Sequence, residues 1–291
     1  GRSLNAGQRA LPEHFLQAGA LLAVGVGPAG TGKTTSMKAV VQAWQAEGHN
    51  VIAIAPSAIA AETLGEEVGV TGLTLASLTY PWRGVIGGWP GTFPPGIDIT
   101  PGTMLLVDEA SLASTLDLAA VVEIAKERGA IVRLLGDPAQ LDAVETGGML
   151  RYLAEYTDAP ELRTVVRFGD DNAQADNSLL LRSGDSAGLD LIYERDLVRE
   201  GTREEMIGQA VENYLHDLAD GKESIVMLPT REDVKAANIQ VQAVRRRDGI
   251  SDESATVSLA DELTAGRGDI VLTRSNRRDL NPSGGKKAGS F

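Results

Sequence analysis

The sequence predicts an α/β fold with a parallel sheet covered on both faces, and three observations lead there. Apolar runs at about 21–26, 51–55, 103–107 and 131–135 have the length and unbroken character of buried strands. Stretches at about 33–46, 57–67, 113–128 and 148–156 carry apolar residues at helical spacing. The two kinds of segment alternate, which places helices on both faces of a parallel sheet.

The first strand, Leu21 to Val26, runs into Gly27-Pro28-Ala29-Gly30-Thr31-Gly32-Lys33-Thr34-Thr35. These residues contain the pattern G-x-x-x-x-G-K-[ST]. A helix follows, with Met37, Val40, Val41 and Trp44 on one face. A strand, a glycine-rich turn and a helix start aim backbone N–H groups and a positive dipole end at one point, which suits a polyphosphate. Lys33 is placed to reach the β- and γ-phosphates of a nucleoside triphosphate, and the Thr34 hydroxyl to ligate Mg2+.

The third strand, Met104 to Val107, leads into Asp108-Glu109-Ala110-Ser111. Acidic residues at the C-terminal edge of such a sheet lie where ligands bind. Asp108 is the candidate magnesium ligand and Glu109 the candidate base that takes a proton from attacking water. The fourth strand, Ile131 to Leu135, ends in Gly136-Asp137-Pro138-Ala139-Gln140-Leu141. The Gln140 amide can bond both a γ-phosphate and the attacking water, and so report whether the triphosphate is intact.

In that order, GPAGTGKTT, APSAIAAETL (residues 55–64), LLVDEAS and LLGDPAQLDAV resemble the first motor domain of superfamily 1 helicases. Within that superfamily they are most similar to the RecD-like branch and the helicase portion of TraA/TraI-type conjugative relaxases. Leu4-Asn5-Ala6-Gly7-Gln8 resembles the opening motif, whose glutamine reads adenine, so the resemblance makes Gln8 the adenine contact. Thr164-Val165-Val166-Arg167-Phe168 and Leu181-Arg182-Ser183-Gly184-Asp185 resemble the crossing to the second motor domain, and Arg167 matches the arginine that neutralises the γ-phosphate. Met227 to Arg231 and Gly268 to Arg274 look like the early second domain.

The resemblance implies a RecA-like P-loop NTPase domain at 1–160 and a partial second RecA-like domain at 161–280, and the polar, glycine-rich composition of 281–291 predicts a disordered tail. It also implies ATP and Mg2+ as ligands and 5′→3′ movement on single-stranded DNA, with the conjugation machinery as a further partner. No run after Arg274 fits the family's last motifs, so this chain is expected to bind ATP, hydrolyse it slowly and unwind no duplex. The second unit is expected to hold helices at about 203–219 and 231–247 and strands at 224–228 and 269–273, in an incomplete sheet.

A net charge of −13 argues against a protein that coats nucleic acid electrostatically. A motor needs only a local track of amides, hydroxyls and stacking aromatics. Pro56, Ser57, Thr74 and Ser77 match the family's strand-contacting motifs, and helix capping is an equal reading of the hydroxyls. In the insertion at 80–102, Tyr80, Trp82, Trp89 and Phe93 either meet bases or pack back on the first domain. Arg245-Arg246-Arg247 closes the helix expected at about 231–247, where cations favour the dipole.

A hydrophobic fraction of 43% and a charged fraction of 23% are those of a globular protein of about two domains. The sequence has no cysteine, which excludes disulfides and thiolate metal sites. No apolar stretch approaches the ~20 residues of a spanning helix. A cytoplasmic protein is the expectation. Two other readings stay open: an ATP-binding remnant that is not a motor, and a kinase, which Asp108-Glu109 and Gln140 disfavour.

Overall fold

A computed structural model describes residues 4–17, 19–82, 93–140 and 146–272. The chain divides into two compact units after Leu191. In the first unit the elements run α1 (Ala6–Gln17), β1 (Leu22–Val26), α2 (Lys33–Ala46), β2 (Val51–Ala55), α3 (Ala58–Val68), β3 (Thr71–Thr74) and α4 (Leu75–Thr79). They continue with β4 (Met104–Val107), α5 (Thr115–Arg128), β5 (Ile131–Gly136), α6 (Met149–Tyr156) and α7 (Asn172–Ser183). Helix α8 (Asp190–Glu194) straddles the division.

The five strands form one parallel sheet in the order β1-β5-β4-β2-β3. Side chains alternate between its faces, as strand geometry requires. Val24, Ile54, Leu105, Val107 and Leu134 pack with Leu78 of α4, Val121 and Ile124 of α5 and Leu150 of α6. Ala23, Ala53, Met104, Leu106 and Leu135 face the other way, against Leu11 and Phe15 of α1, Met37, Val40 and Val41 of α2 and Leu64 of α3. The result is a three-layer α/β/α sandwich, with all five strands ending on one edge.

Element for element the first unit follows the expected alternation, with α1, β3, α4 and α7 as additions. Helix α1 begins with a capping box: Gln8 N–H donates to Asn5 Oδ1 at 2.9 Å and Asn5 N–H donates to Gln8 Oε1 at 3.2 Å. Strand β3 is a short edge strand paired to β2 (Ala55 opposite Thr74), and α4 follows it directly. The division after Leu191 comes later than the expected boundary at 160. Residues 160–167 are bound to the first sheet: Val26 N–H donates to Pro160 O, Leu162 N–H to Val26 O, and Val166 and Arg167 N–H to Gly30 O.

Around the insertion, residues 83–92, and with them Trp89, lie outside the described residues. Trp82 is buried in the core and stacks on Phe93 at 6.0 Å, while the Arg128 guanidinium lies over the Phe93 ring. These two aromatics therefore pack back on the sheet rather than standing free for bases. Tyr80 is exposed.

The second unit contains α9 (Arg203–Ala219), α10 (Arg231–Arg247) and an antiparallel hairpin of β6 (Asp252–Ser258) and β7 (Thr264–Arg267). Both helices start where expected, each capped by a threonine, Thr202 and Thr230. The strands expected at 224–228 and 269–273 are a correction. Among the described residues, 224–228 and 269–272 pair with no strand, and Thr273 lies outside the described residues. An apolar run alone does not make a strand; a neighbouring strand must accept its ladder. Without one, Ile225, Met227, Ile270 and Leu272 are exposed. Arg246 and Arg247 at the end of α10 pair with Glu253 and Asp248, in keeping with helix-end cations.

Candidate active site

The ends of β1, β5 and β4 lie side by side, with Val26 opposite Gly136 and Val107 opposite Leu134. Three loops therefore leave the same edge together: 27–32 after β1, 137–140 after β5 and 108–111 after β4. Gly27 N–H donates to Gly136 O at 2.9 Å and ties the first two at their bases.

The loop after β1 is set by its glycines and its one buried hydroxyl. Thr31 is fully buried, and its Oγ1 donates to Pro28 O at 2.8 Å. Gly30 and Gly32 both adopt left-handed backbone, and Gly32 caps α2 without any side chain. The first N–H groups of α2 have no acceptor within the helix, by helix geometry. A Cβ on Gly27 would lie 2.6 Å from Lys33 Cγ, so the lysine stem crosses this residue where only hydrogen fits.

Lys33 Nζ donates to Glu109 Oε1 at 2.8 Å and lies 3.8 Å from Asp108 Oδ1. Glu109 N–H donates to Asp108 Oδ1 at 2.8 Å, and Glu109 adopts left-handed backbone with φ 50°. A non-glycine residue there is strained, a feature common where function dictates a side-chain direction. Glu109 Oε2 is buried and makes no hydrogen bond among the described residues. Burial is the largest influence on Asp108 and raises its carboxyl above the usual range; Lys33 works against it, and Glu109 adds to it.

This chemistry fits a magnesium-bound polyphosphate. Among the described residues no cluster of three or more His, Asp or Glu side chains could hold a metal alone. Magnesium needs no such cage, because one carboxylate, one hydroxyl and the substrate's phosphates suffice. Asp108 and Thr34 are the residues that would hold it. The cation and the orphaned carboxylate oxygen supply what a phosphate and a water molecule would engage.

Two predicted residues lie directly on the phosphate loop. Gln8 Nε2 donates to Thr31 O at 3.1 Å, so its amide braces the loop from α1. Arg167 packs on Gly30, where a Cβ would fall 2.7 Å from the arginine's own Cβ. Gln140 sits on the turn after β5, its N–H donating to Asp137 O at 3.1 Å.

The nucleic-acid candidates stand further along the same edge, beyond β4. Ser57 Oγ accepts from Ala60 N–H and caps α3; Thr74 Oγ1 accepts from Ser77 N–H and caps α4; Ser77 Oγ donates to Thr74 O. Both helices thus begin at the ends of neighbouring strands, β2 and β3. Pro56 lies between β2 and its cap. Capping is the observed role of the Ser57 and Thr74 hydroxyls, the Ser77 hydroxyl bonds back to its own cap residue, and Ser57 and Ser77 are exposed.

Sequence reasoning passed over one contact at this edge. Arg182 of α7 clasps Asp137 through Nε at 3.0 Å to both carboxylate oxygens and through a second guanidinium nitrogen at 2.7 Å. Burial pushes the Asp137 carboxyl up, but the Arg182 and Ala139 hydrogen bonds and the charges of Arg182 and Lys33 outweigh it and hold it below the usual range. The stretch Leu181 to Asp185 stood out as a motif, but nothing in the sequence pairs its Arg182 with Asp137, 45 positions earlier.

Comparison with known proteins supports the motif order. Conjugal transfer protein TraA of Rhizobium radiobacter is 30% identical over 94% of this chain and 24% of its own length. The ATP-dependent RecD2 DNA helicase of Deinococcus radiodurans is 36% identical over 52% of this chain and 20% of its own. The chain thus spans about a quarter or less of the curated relatives it matches. The crystal structure of Pif1 helicase from Candida albicans superposes with a TM-score of 0.50 at 19% identity, covering 84% of this chain and 61% of that one, which supports the fold. These are the RecD-like and TraA-type relatives to which the motifs pointed. A family model described as an AAA domain, AAA_30, matches residues 3–203, and the chain belongs to that family.

Proposed function

We propose that this chain is the ATP-hydrolysing part of a RecD-like superfamily 1 DNA helicase, acting in the cytoplasm. In this reading hydrolysis drives 5′→3′ movement on single-stranded DNA during conjugative transfer. The observation that carries the hydrolase part is the meeting of Lys33, Asp108 and Glu109 beside a glycine loop at a helix start.

The residues divide the work as follows. Backbone N–H groups of the loop and the start of α2 bind the phosphates. Lys33 leaves Glu109 for the phosphate oxygens, which frees Glu109 to accept a proton from water. Asp108 and Thr34 would hold magnesium, which would supply neutralisation of phosphoryl charge. Gln140 orients the water, Arg167 meets the γ-phosphate and Gln8 meets the adenine. Pro56, Ser57, Thr74 and Ser77 bear the DNA strand.

The described second unit, two helices and a hairpin with unpaired extended segments, favours a second reading: nucleotide binding with hydrolysis uncoupled from movement. One assay separates the two. ATP turnover by the wild type and by Glu109→Gln is measured with and without single-stranded DNA. Turnover that DNA raises and Glu109→Gln abolishes supports the motor. Turnover indifferent to DNA supports the uncoupled reading. Equal turnover by both proteins rejects the assigned base.

A further inference from the structure

The Asp137–Arg182 pair joins parts of the site that the chain itself keeps apart. Asp137 opens the turn bearing Gln140, and its side chain is only 2% exposed. It accepts Ala139 N–H at 3.1 Å, which shapes that turn from within. Arg182 stands at the far end of α7, whose N-cap is Asp171, and Asp171 N–H donates to Phe168 O just beyond Arg167. The third guanidinium nitrogen reaches Glu161 Oε1 at 3.4 Å. Glu161 forms the bridge partner of Val26 at the base of the phosphate loop. One side chain therefore touches the turn after β5 and the segment beside β1, and its own helix leads back to the segment packed on Gly30.

We propose that Arg182 is a positioning residue that fixes the Gln140 turn and the Arg167 segment in register around the phosphate loop, acting through Asp137 and Glu161. The proposal rests on the hydrolase reading above. The fork geometry explains why an arginine stands here. Two parallel N–H bonds to one carboxylate fix an orientation that a single point charge does not. Positioning of this kind acts mainly on the chemical step, because a small misplacement of water or phosphate lowers the rate more than it lowers ground-state affinity.

The test uses Arg182→Gln, Arg182→Lys, Asp137→Asn and the double variant Asp137→Asn/Arg182→Gln. Hydrolysis of ATP and binding of a fluorescent ATP analogue are followed together with amide hydrogen exchange. Arg182→Gln should lower kcat about tenfold or more while the affinity changes less than about threefold, and Arg182→Lys should recover part of the loss. The double variant should be little worse than either single one, because residues acting as a unit are not additive. Exchange should rise at Ala139, Gln140, Val166 and Arg167 and stay unchanged in β2 and β4, which also reports that the variant is folded. Wild-type kcat in Arg182→Gln, or a loss of affinity matching the loss of rate, would overturn the proposal. If the wild type hydrolysed no ATP, the hydrolase reading would fail by itself. The exchange pattern would then decide alone, and unchanged exchange at the two segments would overturn the positioning role.

Discussion

Lys33 Nζ lies 2.8 Å from Glu109 Oε1, so the cation assigned to the phosphates is paired with the group assigned to activate water. Under the proposed function, the contact would link nucleotide binding to the readiness of the base, because a phosphate that drew Lys33 away would uncover Glu109. It would also set binding in competition with the ion pair.

Glu109→Gln should therefore bind Mg-ATP at least as tightly as the wild type, because a neutral amide holds Lys33 less strongly. Its hydrolysis should fall by roughly 10²–10⁴-fold, the usual contribution of a positioned base. Titration with a fluorescent nucleotide and a phosphate-release assay measure the two. Weaker binding together with normal release would reject both roles.

Lys33→Ala removes a charge-assisted contact to phosphate, so nucleotide affinity should drop about 10–100-fold. The fold should survive, since Lys33 is no part of either hydrophobic core cluster. Calorimetric titration beside a circular dichroism melt distinguishes lost binding from lost structure. A folded variant with wild-type affinity would remove Lys33 from the site.

Legibility followed the strength of local chemistry. Strands β1, β2, β4 and β5 were readable because each is a buried run ending in a chemically marked loop, and α2 and α5 because their apolar faces are regular. Strand β3, Thr71-Gly72-Leu73-Thr74, has one large apolar residue and carries no buried-strand pattern. Helix α1 was hidden by Pro12 in its middle, although Asn5 and Gln8 carried its capping signal. At 224–228 the pattern misled in the other direction, since its apolar residues have no partner strand. Lys33, Asp108 and Glu109 were legible as motifs. The Asp137–Arg182 clasp was not, because its members are 45 positions apart and only the fold brings them together.

Gly30→Ala tests the packing of the Arg167 segment. The residue has φ 79°, and an added Cβ would strike Arg167 Cβ at 2.7 Å. Left-handed backbone alone costs a residue with a side chain roughly 1–2 kcal/mol, and Arg167 must also move. Nucleotide turnover should fall further than the melting temperature suggests. A variant with normal turnover would show that Arg167 need not lie on the loop.

Asp108 offers a test by pH. Burial, the main influence, raises its carboxyl above the ordinary 3.8. Between that value and the raised one the folded protein binds more protons than the unfolded chain, so stability falls as pH rises through this window. The penalty persists at neutral pH. Asp108→Asn should therefore melt higher than the wild type at neutral pH, by roughly 2–4 °C for each kcal/mol relieved. The difference should close as pH approaches 3.8, and magnesium-dependent hydrolysis should be lost. A melting point lowered at neutral pH would mean that Lys33 gains more from Asp108 than burial costs.

Ser57 allows capping to be separated from contact with DNA. Its Oγ accepts Ala60 N–H at 3.1 Å, so Ser57→Ala should cost about 1 kcal/mol whether or not DNA touches it. Loss of activity in that variant would be ambiguous. Aspartate caps helices as well as serine does and adds a negative charge at the helix start, so Ser57→Asp should keep the melting temperature. The same charge would repel a phosphate backbone. If a DNA strand crosses the ends of β2 and β3, Ser57→Asp should weaken single-stranded DNA binding and abolish its stimulation of ATP turnover, leaving turnover without DNA unchanged. The two activities are measured on one preparation at a fixed salt concentration, because phosphate contacts depend on salt. DNA stimulation undiminished in Ser57→Asp would mean that the strand does not pass this residue, and that Ser57 caps α3 and does nothing more.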